Sequence, residues 1–443
     1  MFKQNSVVTP GKFFPVLLRL RKNLIVACWI AASTVFRCAV TAQASPAQSL
    51  AAAAYLEDFD AAWMFIRENY AYFDKKQTDW ERVRTLYRPL AAEVRSKRDF
   101  VGVLEDVIEE LYDPHAHLGV NTTSSPRLMP SGTDLWAEWL GNSAVITAVR
   151  SSSEAQRAGL RAEMEILSVD GLPVRAAMQK RLPAALGAPD SAADNWALRA
   201  TLAGRHNAPV RVAVQAGKRR ATFEFRPGLV KQSQAPLAAR ILEGSVGYVR
   251  VHDSLGDTAL IGAWDSALTV LRDTRSMVLD LRDTPGGGNT TVARAILGRL
   301  ISEEQPYQRH ELPAEERRHG VRRIWVEHAA PRGPFPYAKP VAVLVGRWTG
   351  SMGEGLTIGL DAMQRATVIG TPMAGLRGAT YGTTLPHTRI EVRVPAERLY
   401  HVRGTPREEF VPGVRMQPAQ DVAGTDLTLE FALKLLRSKA PES

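Results

Sequence analysis

Cysteine is nearly absent: the chain has two, Cys28 and Cys38, both within its first 44 residues. A chain that sheds those residues keeps no thiol, which excludes disulfides and cysteine-held metals from its design. Basic runs are missing as well. Six of the ten surplus positive charges (Lys3, Lys12, Arg19, Arg21, Lys22 and Arg37) fall in residues 1–44, where there is no acid, and the other four are spread without a cluster. That distribution argues against a nucleic-acid partner. There is no clean membrane span either, because the apolar run "LIVACWIAASTVF" meets Arg37, a poor residue for a bilayer centre. No Lys-Ser/Thr pair follows the Gly286–Gly288 triplet at the spacing a phosphate loop needs. Internal repeats and long low-complexity segments are also lacking.

What is present reads as an exported globular protein. The composition, 45% hydrophobic and 23% charged over 443 residues, allows several domains with ample core. Arg19, Arg21 and Lys22 precede the apolar run, and Ala42-Gln43-Ala44 offers a cleavage site before Ser45. Residues 1–44 therefore read as a signal peptide, which places the mature chain, without a membrane span, in the periplasm or outside the cell. If the leader is not cleaved, it is a membrane anchor instead. Residues 45–127 read as a helical domain, with Phe59, Trp63 and Ile66 at helical spacing and Pro114 breaking the pattern. Residues 128–230 read as a β-rich unit with a short helix at Ala158-Gly159-Leu160 and an Asp170-Gly171 turn. From 231 to 443 strands and helices alternate, as in an α/β domain with a largely parallel sheet.

Three stretches could carry chemistry. In "VLVGRWTGSMGEGLTIGL" an apolar strand turns into a helix at Ser351, between Gly350 and Gly353. Ser351 is either a helix N-cap or a nucleophile at the C-terminal edge of a sheet, where α/β proteins bind ligands. "DLRDTPGGGNT" leaves another core strand with three consecutive glycines, either a flexible turn or a cradle of free N–H donors. "DPHAH" follows a helix end and holds His115 and His117; seven further histidines are scattered singly. A hydroxyl nucleophile needs a base, and histidine is the side chain poised for that near neutral pH. A paired-histidine metal site is the rival, but no further ligand cluster accompanies it.

These motifs and their order resemble the tail-specific (C-terminal processing) serine proteases, and more closely their tricorn-core-like branch. The resemblance covers nearly everything after residue 50, from "FDAAWMFIRENYAYFDKKQTDW" through "AGLRAEMEILSVDGLPV" and "LDLRDTPGG" to Ser351 and Glu354. It implies an α/β, crotonase/ClpP-like protease core (231–443) behind an N-terminal helical domain and a PDZ-like β-rich domain. The processing proteases pair their serine with a lysine about 25 residues downstream, in a segment that here reads "GTPMAGLRGATYG" and puts Leu376 at the lysine position. Arg377 beside it cannot serve, because it stays protonated. The tricorn-like branch uses a histidine ahead of the PDZ-like unit, which falls on His115, and a late glutamate, which falls on Glu408 in "GTPREEF". Glu409 and His117 are the runners-up.

The resemblance thus implies a serine endopeptidase acting on polypeptides, with catalytic Ser351, His115 and Glu408. Met352 and a glycine of Gly286-Gly287 would form its oxyanion hole, and no metal or cofactor is implied. Glu354 reads as a first-turn acid with a structural part. Thr284 stands where the family has Asn, and Glu163-Met164 where Gly-Asp is usual, so peptide-tail recognition by the middle unit is the looser expectation. Two alternatives remain: a non-catalytic peptide-binding protein that keeps the fold, and an α/β-hydrolase esterase using His387 or His401. The esterase elbow needs Gly where Thr349 stands.

Overall fold

The structure, a computed structural model, describes residues 46–228, 235–417 and 425–439. The expected leader and its cleavage point lie outside the described residues. Among those described, no helix is long and apolar enough to cross a membrane.

The chain opens with helices Pro46–Asn69, Trp80–Glu93 and Lys97–Glu109. Two of them start on side-chain caps: Asp79 accepts from the N–H of Glu81 and Arg82, and Ser96 from that of Asp99. Their inward stripe of Phe59, Trp63, Ile66, Phe100 and Leu104 shares one core with Leu385, Ile390, Val392 and Val394. The N-terminal region therefore does not close on itself near residue 127. Strand His117–Leu118 pairs with Glu391–Tyr400, the central member of a five-stranded sheet.

The middle region holds the strands Leu135–Leu140, Ser143–Val149, Glu165–Val169, Val210–Ala216 and Arg219–Phe225 in that order across one sheet. Its short helix Glu154–Ala158 stops at Gly159, whose φ of 109° is a left-handed cap. A longer helix, Ser191–Ala203, buries Ala193, Trp196, Ala197, Leu198, Ala200, Leu202 and Ala203. Burial on so many sides leaves no amphipathic stripe, so the sequence pattern does not announce it.

In the last region five parallel strands run in chain order across the sheet, Val246–Val251, Ser276–Asp280, Val341–Val345, Thr367–Gly370 and Val414–Arg415. An antiparallel edge strand, Leu237–Leu242, completes it. Ser276–Asp280 and Val341–Val345 are buried along their whole length. Helices Ala259–Val270, Thr290–Leu297 and Met352–Ala362 pack on one face and Leu427–Lys439 on the other. Both faces being covered explains why these strands read as continuous apolar runs rather than alternating ones.

Candidate active site

Strand Val341–Val345 ends in a turn that delivers Ser351 to the start of helix Met352–Ala362. Ser351 has φ 52° and ψ −112°, outside the extended region of an ordinary N-cap. Such a conformation costs a non-glycine residue about 1–3 kcal/mol and persists only where neighbours impose it. Those neighbours are visible. The Thr284 N–H donates to Trp348 O (3.0 Å), and the Gly350 N–H to Thr284 O (3.0 Å). The Thr349 hydroxyl donates to Leu281 O at 2.8 Å. The loops leaving two adjacent parallel strands are thereby laced together, and Gly350 lies so close that a Cβ there would stand 2.8 Å from Pro285 O.

Lacing draws the glycine triplet past the serine. A Cβ on Gly287 would lie 3.5 Å from Ser351 Oγ. The N–H groups of Gly287 and Met352 have no acceptor among the described residues. Gly286 differs from expectation: its N–H is given to Asp253 O at 2.7 Å, which pins the loop and leaves no donor for a ligand. Of the three expected oxyanion donors, two are free.

Glu354 is fully buried and does more than a first-turn acid would. Its Oε2 accepts from the N–H of Ser351 (2.8 Å) and of Leu376 (3.1 Å), and its Oε1 from that of Gly375 (2.9 Å). It ties the serine turn to the strip Ala374–Gly378. Burial outweighs these three bonds and the nearby Arg407 charge and raises its pKa to about 7. Arg407, 2% exposed, clamps the same strip by donating to Leu376 O (2.9 Å) and Gly378 O (2.7 Å).

His115 reaches the strip from the other side of the sequence. Its Nδ1 is 2.7 Å from Arg377 O, and a carbonyl can only accept, so Nδ1 carries the proton and Nε2 a free lone pair. Burial, and then the Arg407 charge, lowers its pKa to about 4, so the ring is neutral through the physiological range. No hydrogen bond links it to Ser351. The strip connects them: Leu376 would lie 3.2 Å from a Cβ on Gly350, and Arg377 is the next residue. The Asp113 carboxylate steadies the histidine, accepting from the His115 N–H (3.0 Å) and from the Tyr70 hydroxyl (2.7 Å). Arg377 and the buried Lys76, whose pKa burial lowers to about 7, hold Asp113 in its charged form.

The remaining expected residues have other partners. Glu408 makes no hydrogen bond to His115, because Arg377 O already takes Nδ1. Its Oε2 is buried without a partner, and its pKa is raised by burial beside Arg407, Arg377 and Asp113. Glu409 is exposed. His117 turns to His115 O (Nδ1 at 3.1 Å) from the strand that pairs with Glu391–Tyr400. Leu376, at the lysine position, is 3% exposed in a cluster with Trp136 and Trp348. Of the esterase candidates, His387 pairs with Glu57 and His401 with Asp361. Sequence reasoning missed Arg407 and the carbonyl of Arg377. An arginine in a polar turn reads as surface, and a backbone carbonyl has no signature.

Residues 245–415 match the family model of Peptidase family S41, and residues 51–109 that of the Tricorn protease C1 domain. The chain is 23% identical over 395 residues to a carboxyl-terminal-processing protease of Synechocystis sp., covering 85% of each. Among solved structures, the photosystem II D1 C-terminal processing protease is 20% identical, with 86% of this chain and 97% of that one covered and a TM-score of 0.52. Mature CPAF is 15% identical, with 88% and 96% covered and a TM-score of 0.55.

Proposed function

From its membership of Peptidase family S41, which makes it a serine-type peptidase, we propose that this chain cleaves peptide bonds with Ser351 as nucleophile and His115 as base. The observation that carries the reading is the pair of free N–H groups, Gly287 and Met352, beside a strained serine on a laced turn. The Ser351 hydroxyl attacks the substrate carbonyl and passes its proton to His115 Nε2. Negative charge on the carbonyl oxygen is received by the two N–H donors. The imidazolium then protonates the leaving amine, and water hydrolyses the acyl-serine by the same steps in reverse order. Arg377 O orients the ring, the part first expected of Glu408, and the Asp113 charge favours the imidazolium as it forms. Glu408 offsets the charges of Arg377 and Arg407 around it. The hydrogen bond from the Ser351 hydroxyl to His115 Nε2 is made in the substrate complex, where such contacts tighten.

Substrates in this reading are polypeptides met after export, and the six-stranded middle sheet with its helices is a PDZ-like unit that helps to hold them. A fluorophosphonate probe should label wild type at Ser351 alone. Ser351→Ala and His115→Ala should each lose about 10,000-fold or more in peptide cleavage, as members of one unit do. A loss of that size in Glu408→Gln would return the orienting part to Glu408, and labelling at another residue would remove Ser351 from the mechanism.

A further inference from the structure

A cavity of about 230 Å³ lies against the strip that carries the histidine's carbonyl partner, with Gly375, Arg377 and Pro114 in its wall. Pro114 precedes His115, so the cavity flanks the place where a scissile bond would sit. From helix Ser191–Ala203, Arg199 lines the same cavity and stacks its guanidinium 4.8 Å from the centre of the Trp136 ring. It makes no hydrogen bond and no ion pair among the described residues. Glu138 is the one carboxylate in the wall and is already engaged, accepting from Arg347 (2.7 Å) and from the Trp136 indole (3.2 Å). Trp196, also in the wall, has an indole N–H without an acceptor.

Glu138 is the nearest counter-charge to Arg199, but its bonds go to Arg347 and Trp136, and a sheltered cation that no carboxylate bonds is costly, so proteins pair such groups or use them. Burial lowers the Arg199 pKa only to about 10, with the Glu138 charge opposing the fall and Arg347 and Arg377 adding positive charge close by, so Arg199 stays charged near neutral pH. A guanidinium fork stacked on an aromatic ring matches a planar carboxylate with two parallel hydrogen bonds. The volume is below the roughly 300 Å³ at which pockets for whole small molecules begin, so it suits one side chain or one chain end. We propose that this cavity is a specificity subsite that takes a carboxylate of the substrate on Arg199. The proposal rests on the serine-peptidase reading above for its place beside the scissile bond.

Two sources of that carboxylate can be told apart with matched fluorogenic peptides. One pair differs as Glu against Gln at positions flanking the scissile bond, and the other as free acid against amide at the C-terminus. In wild type, one pair should favour the carboxylate by about 10- to 100-fold in kcat/KM, mostly through KM, as a charged hydrogen-bonded contact would give. Arg199→Met should bring that ratio close to one, with Arg199→Lys between. A wild-type ratio near one for both pairs overturns the proposal without any variant, as does a preference that survives in Arg199→Met. Titrating the same peptides into Ser351→Ala and following tryptophan fluorescence reads the subsite without turnover. Carboxylate-selective binding there, together with cleavage that does not depend on Ser351, would sink the mechanism and leave the subsite standing.

Discussion

Replacing Glu354 by Gln probes the tie between nucleophile and strip, and its size can be worked from the burial of the carboxylate. In the folded chain its pKa is raised from 4.5 to about 7, with burial the first cause. The folded value lies above the unfolded one, so the folded state holds the proton more tightly. The contribution to stability is full below pH 4.5 and is lost as the pH rises through about 7. At about 1.4 kcal/mol per pH unit, the difference amounts to about 3 kcal/mol. Glutamine does not titrate. Unfolding by urea, compared between wild type and Glu354→Gln, should therefore show the difference in stability shrinking by about 3 kcal/mol between pH 4.5 and pH 8. Glu109, which burial also raises to about 7, is present in both proteins and cancels. Glutamine offers one acceptor oxygen, best placed where Oε2 serves Ser351 and Leu376, so its NH₂ then faces the Gly375 N–H. One buried donor left unpaired costs about 1–3 kcal/mol. A strip loosened there should lower kcat by about 10- to 100-fold through misplaced geometry. Parallel pH profiles of stability would refute the burial argument, and an unchanged kcat would refute the tie.

Gly287→Ala should fold normally, since its Cβ would meet Ser351 Oγ at an ordinary 3.5 Å, yet lose about 100- to 1,000-fold in kcat by crowding the oxyanion donors. Calorimetry beside kinetics checks this, and a lowered melting temperature with kcat intact would contradict it. The acid limb of kcat/KM that belongs to His115 should fall near pH 4 rather than near 6.5, because burial and Arg407 favour the neutral ring. It should persist in Glu354→Gln, which removes one of the groups near the site that titrate close to pH 7, Lys76 being another. A limb near 6.5 would mean a solvated imidazole. Leu376→Lys should not rescue peptide cleavage in His115→Ala, because that side chain is packed with Trp136 and Trp348 and not held as an amine; restored turnover would show a working Ser-Lys pair.

The sequence made the serine turn, the glycine triplet and the DPHAH segment legible because each sits at an abrupt change of pattern. Strand gives way to small residues, or helix to Pro114. The parallel sheet was legible for the same reason, as mostly apolar strands alternating with helices. Which groups touch was not. Gly286 and Gly287 are indistinguishable in sequence, and only the bond from Gly286 to Asp253 separates a pinned amide from a free one. Glu408 drew attention as the acid in "GTPREEF", whereas the neighbouring Arg407 does the clamping. The helical region looked self-contained because pattern reports which face is buried and not what covers it. Its cover is Leu385 to Val394, far along the chain.

That late cover has a consequence in time. His115 and the carbonyl that orients it are 262 residues apart, and the helices around His115 lack part of their core until residues 385–394 exist. At roughly 5–20 residues per second, a ribosome needs on the order of tens of seconds to span that gap. Contacts between such distant segments also close slowly, because the loop must be ordered before it gains anything. Throughout that interval the growing chain lacks the carbonyl that aligns the proposed base. An unfinished copy assembled this way has no aligned catalytic pair with which to cut itself.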